Sequence, residues 1–225
     1  MPEILIHSFK DALLIVAALL PIINPPGGAP VFLLATQGAS PDTRAFLARR
    51  IALNAGLLLL GAMFIGSYVL AYFGISAGTI KVAGGLLVAS IGWKMLQTED
   101  KAPETHAAPM DWSRSIAEKR AFYPLTFPLS VGPGSIAVAL TLGARVYAGG
   151  SRPLGAPLSA ALAIAVLALA IYLAFRFADR GVRLLGETGT NVLLRLAAFV
   201  TLCVGIEIFQ DGAHELLAPW LSGKS

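Results

Sequence analysis

The sequence predicts an all-helical, polytopic membrane protein with six transmembrane helices, arranged as two inverted three-helix repeats in which helices one and four are broken. The first observation is composition: of 225 residues, 56% are hydrophobic and only 13% are charged, about half the charged fraction of a soluble domain. The second is four charge-free stretches, each longer than the ~20 residues that a bilayer-spanning helix needs: 12–41, 51–80, 121–144 and 153–175. The third is a pair of motifs shared by the two halves.

The apolar runs and their flanking turn residues predict six spans: 9–38, 45–73, 76–97, 121–147, 156–177 and 187–212. Residues 74–78 are too few for anything but a tight turn between spans two and three. The long polar segment 98–120 separates the two groups of three spans, with an interfacial helix expected around 112–120. The predicted units are a first repeat, a cytoplasmic polar loop and a second repeat: 1–97, 98–120 and 121–225.

Lysine and arginine set the predicted orientation, because cytoplasmic loops of membrane proteins carry an excess of both. Ten of them flank the loops after spans one, three and five, and four lie on the opposite side. This bias predicts that the loops after spans one, three and five are cytoplasmic and that both termini lie outside. Since the basic residues alternate with apolar runs and form no stripe with aromatic residues, the predicted partners are the lipid bilayer and a small molecule, not nucleic acid. Assembly into a homo-oligomer stays open.

Two motifs recur in the same order in both halves. The pattern P-x-x-x-x-P-G occupies 21–27 and again 128–134, at an offset of 107 residues, and 92–97 matches 205–210 at an offset of 113. Because each half has three spans, an odd number, the second half must be inverted relative to the first. Inverted repeats are typical of secondary transporters, whose substrate site lies at the repeat interface.

The prolines and glycines of these motifs break helices one and four inside apolar runs, where unsatisfied backbone groups are costly. Half-helices that begin at the breaks present N–H groups that suit a carboxylate, and half-helices that end there present carbonyls that suit an ammonium group or sodium. Simple kinks that serve helix packing are the alternative interpretation. The predicted substrate-binding residues are Asn24, Pro26, Gly27, Gly28, Thr126, Ser130, Gly132, Gly134 and Ser135.

The same residues carry a family resemblance. The run 24–32, Asn-Pro-Pro-Gly-Gly-Ala-Pro-Val-Phe, resembles the N-P-x-G-x-x-P-x-F signature of the MarC family of bacterial integral membrane proteins, and 124–135 is similar to that family's second signature. The resemblance covers nearly the whole chain. It implies six spans in the inner membrane and, since some members transport small neutral amino acids, a substrate of that class.

Transport of small neutral amino acids, or similar small zwitterions, is therefore the preferred function. The alternatives are a regulatory or structural membrane protein without transport, and an exporter of other small molecules including drugs. No hydrolase or metalloprotease motif is present, so an enzyme is not predicted, and neither is a cofactor or a metal. Neither break holds a titratable group, which favours sodium bound by carbonyls and hydroxyls such as Ser130, or ion-free exchange, over proton coupling. Lys81 and Glu207 are a candidate ion pair.

Overall fold

The computed structural model describes residues 2–97, 112–148 and 155–221, and within them every regular element is helical. The elements are α1 (Pro2–Ile23), α2 (Pro25–Ala35), α3 (Pro41–Phe73), α4 (Ala77–Gln97), α5 (Arg114–Phe122), a π-helical turn (Leu125–Ser130), α6 (Pro133–Ala148), α7 (Gly155–Arg176) and α8 (Ala178–Leu221). The predicted all-helical class is confirmed. Of the predicted cytoplasmic loop, 98–111 lies outside the described residues, and α5 occupies the place of the expected interfacial helix.

Five helical segments of the described residues are long and apolar enough to cross a membrane: His7–Ala35, Pro41–Gly66, Gly78–Gln97, Gly155–Arg176 and Leu194–Ala218. The predicted fourth span, 121–147, differs from the structure. The end of α5, the π turn and α6 share this stretch, and its longest apolar helical segment is Pro133–Gly143. Three prolines, at positions 124, 128 and 133, remove backbone donors and prevent one continuous helix there.

Helix α8 is longer than the predicted sixth span and is bent near its start. Gly186, the ninth residue of this 44-residue element, has φ 65° and ψ −177°, a conformation that residues with a side chain rarely adopt. The kink separates a short first segment, 178–185, from the long helix that contains the predicted span 187–212. The short segment was not predicted from the sequence.

Helices of the first half pack on helices of the second half. Helix α1 lies against α7, α3 against α6 and α7, α2 against α7 and α8, and α4 against α6 and α8. Their shared core is apolar: Ile15, Leu19, Phe32, Leu59 and Leu167 are each at most 1% exposed. Lipid tails are as apolar as these side chains, so close packing, more than exclusion of water, holds such helices together.

The tightest contact joins α4 and α8, which run antiparallel along two rows of small residues spaced seven apart. The rows are Gly78, Gly85 and Gly92 on α4, and Ala198, Gly205 and Gly212 on α8. A Cβ atom placed on Gly85 would lie 2.7 Å from the carbonyl oxygen of Gly205, and one on Gly92 would lie 2.5 Å from the amide nitrogen of Leu202. The two backbones touch because the side chains that would separate them are missing.

This register decides the partner of Lys81. A Cβ on Gly212 would lie 2.6 Å from the Cβ of Lys81, so Lys81 faces the end of α8 beyond Gly212. Its ammonium pairs with the carboxylate of Glu215. The expected pair between Lys81 and Glu207 is therefore wrong: Glu207 lies more than one helical turn before Gly212 on α8, and Glu215 lies one turn after it.

A second set of polar contacts joins the end of α2 to its neighbours. Nη1 of Arg44 lies 3.0 Å from both carboxylate oxygens of Asp179, and its Nη2 donates to the carbonyl of Thr36 at 3.4 Å. The indole Nε1 of Trp112 donates to the carbonyl of Gln37 at 2.9 Å. These bonds connect the carboxyl end of α2 and the residues after it to α3, to the first turn of α8 and to Trp112, two residues before α5.

Candidate functional site

A partly enclosed cavity of about 240 Å³ lies between the two helix breaks. The first break and α2 contribute Ile22, Ile23, Asn24, Gly27, Gly28 and Val31 to its wall. The second break contributes Pro128, Leu129, Ser130, Gly132, Gly134 and Ser135, and α4 and α8 contribute Val88, Ile91, Met95 and Thr201. None of these described lining residues carries a charge, so the polar character of the cavity comes from hydroxyls, one amide side chain and the backbone.

Asn24 forms the whole of the first break. It adopts the left-handed conformation, with φ 46° and ψ 61°, between the end of α1 and the start of α2. Its side-chain Oδ1 accepts a hydrogen bond from the amide of Gly27 at 3.2 Å, and its carbonyl accepts one from the amide of Gly28 at 3.0 Å. The sequence predicted that these two amides would be free for a ligand. They are not, because Asn24 caps the helix that they begin.

The carboxyl end of α1 is, in contrast, left with open acceptors. Within an α-helix the carbonyls of Pro21 and Ile22 would accept from the residues four positions later, which are Pro25 and Pro26. Proline has no amide hydrogen, so neither carbonyl has a helical donor. The end of α1 therefore carries the partial negative charge of a helix terminus, and Ile22 and Ile23 line the cavity.

At the second break, two side-chain hydroxyls donate to backbone carbonyls. Thr126 Oγ1 donates to the carbonyl of Ala121 at 2.6 Å, and Ser130 Oγ donates to the carbonyl of Leu125 at 2.9 Å. The amide of Val131 reaches back five residues to the carbonyl of Thr126 at 2.8 Å, which closes the π turn. Because the hydroxyl of Ser130 already donates its hydrogen to the backbone, it can only accept a hydrogen bond from a ligand or coordinate a cation through its oxygen.

The first turn of α6 presents free amides to the cavity. Pro133 has no amide hydrogen, and the amide of Ile136 donates to the carbonyl of Gly132 at 3.1 Å. Ser135 Oγ donates to the same carbonyl at 2.9 Å. Between them, the amides of Gly134 and Ser135 have no hydrogen-bond acceptor among the described residues. The cavity therefore has one positive helix end, that of α6, facing one negative helix end, that of α1.

Three glycines of the cavity wall differ in what an added Cβ atom would meet. A Cβ on Gly28 would lie 3.3 Å from Cε1 of Phe175, whose ring stacks on Phe32. A Cβ on Gly134 would collide with the Cγ2 methyl of Val88. A Cβ on Gly132 would meet only the carbonyl oxygen of Pro128, at 3.4 Å. Gly28 and Gly134 therefore permit close packing, and Gly132 borders open space.

Of the nine predicted site residues, seven line the cavity: Asn24, Gly27, Gly28, Ser130, Gly132, Gly134 and Ser135. The other two lie elsewhere. Pro26 lines a separate cavity on the other side of α2. Thr126 is fully buried, and the side-chain Nδ2 of Asn54 lies 3.5 Å from its hydroxyl oxygen.

The sequence reading missed the contribution of α4 and α8. Thr201 carried a signal, since it is a lone polar residue in the apolar run 196–206. Val88, Ile91 and Met95 carried none, because apolar residues on a membrane helix face lipid and protein alike. Only the packing of α4 against α6 and α8 places them beside the breaks.

Comparison with known proteins agrees with the membrane character of the fold. The profile of the family described as MarC family integral membrane protein matches residues 9–217. The inner membrane protein MarC of Salmonella typhimurium is 30% identical over 220 residues, covering 94% of this chain and 98% of that protein. The membrane protein YhcE of Escherichia coli K12 is 30% identical over 194 residues, covering 85% and 86%. No solved structure matches the chain.

Proposed function

The chain belongs to the MarC family of integral membrane proteins, and from this premise we propose that it is an inner-membrane secondary transporter of small neutral amino acids. One observation carries the proposal: residues of both helix breaks line the same cavity, although they are more than a hundred positions apart in the chain. Broken helices at membrane depth persist where they line a cavity, and in transporters that cavity holds the substrate.

The chemistry of the cavity suits a zwitterion with no net charge. The substrate carboxylate would accept from the free amides of Gly134 and Ser135, and its ammonium group would donate to the carbonyls at the end of α1. No described lining side chain is charged, so a ligand with net charge would be buried without a counterion, which is costly. The volume of about 240 Å³ is below the roughly 300–1,000 Å³ of pockets for drug-sized ligands, which favours a small amino acid over drugs.

The packing of α4 on α8 supports the inverted repeat that this proposal includes. An offset of 113 residues equates Gly85 with Ala198 and Gly92 with Gly205. In the structure the partners are exchanged: Gly85 contacts Gly205, and Gly92 contacts the carbonyl of Ala198. Such reciprocal contacts are what a two-fold axis generates. The pairings of α2 with α7 and of α6 with α3 are exchanged in the same way, since α2 and α6 both begin at the shared proline-glycine motif.

Counterflow in proteoliposomes tests the transport function. Vesicles loaded with unlabelled alanine should accumulate external labelled alanine without a pH gradient, because no described residue that lines the cavity is titratable. Serine and threonine should compete with the label, whereas glutamate and lysine should not. Correctly folded protein that shows no counterflow with any neutral amino acid would refute the proposal and favour the non-transporting alternative.

A matched pair of variants locates the site. Gly132→Ala adds a methyl group beside the free end of α6 and should reduce counterflow several-fold. Gly61→Ala, on α3, makes the same chemical change where a Cβ meets nothing within 4 Å, and should leave flux unchanged. Equal flux in the two variants would place the substrate outside this cavity even if transport itself is real.

The proposed orientation has both termini in the periplasm, as the distribution of lysine and arginine predicts. A green fluorescent protein fused to the C terminus should be dark in cells, because it does not fold when exported unfolded across the inner membrane. Bright fluorescence at the cell envelope would reverse the orientation without affecting the cavity.

A further inference from the structure

A second cavity, of about 270 Å³, lies on the opposite side of α2 from the proposed substrate site. Pro26, Ala29 and Pro30 form the wall that α2 contributes, and the end of α7 contributes Leu173 and Ala174. The remaining side is closed by Phe177, which lies between α7 and α8, and by Ala178, Gly181, Val182 and Leu185 of the short first segment of α8. Every lining side chain is apolar, so the cavity, which we call the α2–α8 groove, suits a hydrocarbon chain.

Arginines stand at one edge of the α2–α8 groove. The guanidinium carbons of Arg176 and Arg180 lie 5.9 and 5.5 Å from the centre of the Phe177 ring, which forms part of the groove wall. Both arginines are exposed. Arg176 is the last residue of the apolar helical segment Gly155–Arg176, which is long enough to cross a membrane, so this edge of the groove lies where the hydrocarbon of a bilayer gives way to its headgroups.

The nearby carboxylate does not neutralise this charge. Asp179 lies between the two arginines in the chain, but both of its oxygens are 3.0 Å from Nη1 of Arg44. Within the described residues no carboxylate lies within ion-pair distance of Arg176 or Arg180. Two positive groups therefore stand free at the mouth of an apolar groove, an arrangement complementary to an anionic amphiphile.

We propose that the α2–α8 groove binds an anionic phospholipid, with an acyl chain along α2 and the phosphate on Arg176 and Arg180. Guanidinium groups match phosphate oxygens through paired N–H donors, and each buried methylene of the chain adds to binding. The proposal does not depend on the transport function. It places a lipid one helix away from the substrate cavity, since Gly27, Gly28 and Val31 line that cavity from the other face of α2.

Native mass spectrometry of the full chain in detergent tests this proposal, with phosphatidylglycerol and phosphatidylcholine of the same acyl chains as probes. The double variant R176Q/R180Q removes the proposed phosphate contacts. Gly181→Leu fills the groove, since a Cβ at Gly181 meets nothing within 4 Å. The control R49Q/R50Q removes the same number of charges from two exposed arginines of α3. We expect phosphatidylglycerol affinity to fall at least tenfold in both test variants and to stay unchanged in the control.

Several outcomes would overturn the proposal. Equal phosphatidylglycerol affinity in the test variants and the control would mean that the lipid binds elsewhere or without specificity. Equal occupancy by phosphatidylcholine would remove the role of the arginines. Competition by millimolar inorganic phosphate alone, together with unchanged lipid binding in Gly181→Leu, would reduce the site to a phosphate contact without an acyl chain. If R176Q/R180Q fails to fold, Gly181→Leu and the control still decide between these results.

Discussion

Gly134 offers a direct test of how α6 is held beside the cavity. In Gly134→Ala the new methyl group would collide with the Cγ2 methyl of Val88 on α4. Overpacking of this kind typically costs about 1–3 kcal/mol. The next atoms of Val88 are its Cβ and Cα, at 3.7 and 3.8 Å from the ideal Cβ position, which are ordinary contacts. Removing the γ methyls of Val88 should therefore remove the clash completely.

The expected free energies of unfolding can be worked out for the double variant. Val88→Ala alone deletes two methyl groups and should cost roughly 1.5 kcal/mol, at about 0.8 kcal/mol for each. If the two changes were independent, the free energy of unfolding of the double variant G134A/V88A would fall by about 2.5–4.5 kcal/mol. If the clash with Val88 is the cause, the double variant should lose no more than about 1.5 kcal/mol. A gap of at least 1 kcal/mol exceeds the ~0.5 kcal/mol error of additivity.

Reversible unfolding of the four proteins in mixed micelles, followed by circular dichroism against the mole fraction of sodium dodecyl sulfate, measures this coupling. The same proteins in the counterflow assay show whether Gly134→Ala loses transport by displacing α6 or by covering its amides. Transport should return in the double variant, because its amides keep their position. Additive free energies would show that α6 does not rest on Val88, and would refute the reasoning.

Three other changes follow from the contacts described above. Gly205→Ala should lower the free energy of unfolding by about 1–3 kcal/mol, because its Cβ would lie 2.7 Å from the Cα of Ala89, and the same titration should show no comparable loss for Gly61→Ala. Asn24→Ala should cost more than Asn24→Gly, by about 1 kcal/mol, because both variants lose the side-chain cap but only alanine is strained at φ 46°; equal losses would contradict the left-handed conformation of this residue. Asp179→Asn should lower the free energy of unfolding by at most about 1 kcal/mol, since that side chain is 49% exposed. Added salt should reduce the difference in free energy of unfolding between the wild type and this variant.

The first helix break could be predicted because proline chemistry is local. Pro25 and Pro26 lack amide hydrogens in every fold, so the interruption after Ile23 follows from the sequence alone. The occupation of the Gly27 and Gly28 amides by Asn24 depends on the left-handed backbone of one residue. Asn is among the few residues that tolerate this conformation, but the neighbouring helices decide whether it is adopted.

The second break was harder to predict, because three prolines and two hydroxyls act together. The prediction of Thr126 and Ser130 as ligand groups did not account for the backbone carbonyls five residues before each of them. In the structure both hydroxyls donate to the backbone first. Local competition between side chain and backbone is a general property of serine and threonine, and it removes Thr126 from the cavity altogether.

The partner of Lys81 illustrates a limit of a different kind. Repeat matching aligned the two halves but did not determine the register between α4 and α8, so Glu207 was a reasonable partner. The glycines spaced seven apart do determine it: Gly78 meets Gly212, and Glu215 follows one turn later. This spacing is visible in the sequence, and reading it as an antiparallel contact would have identified the ion pair.

The rows of small residues between α4 and α8 also determine which parts of the molecule can move. A contact between backbone and backbone leaves little room for one helix to shift without the other, so we expect α4 and α8 to move together as one body. Val88 and Thr201, which line the cavity, belong to this body. In the proposed transporter, we therefore expect access to the cavity to change sides by movement of α1–α2 and of the π turn with α6 relative to α4 and α8, with Asn24 and Gly132 as the hinges.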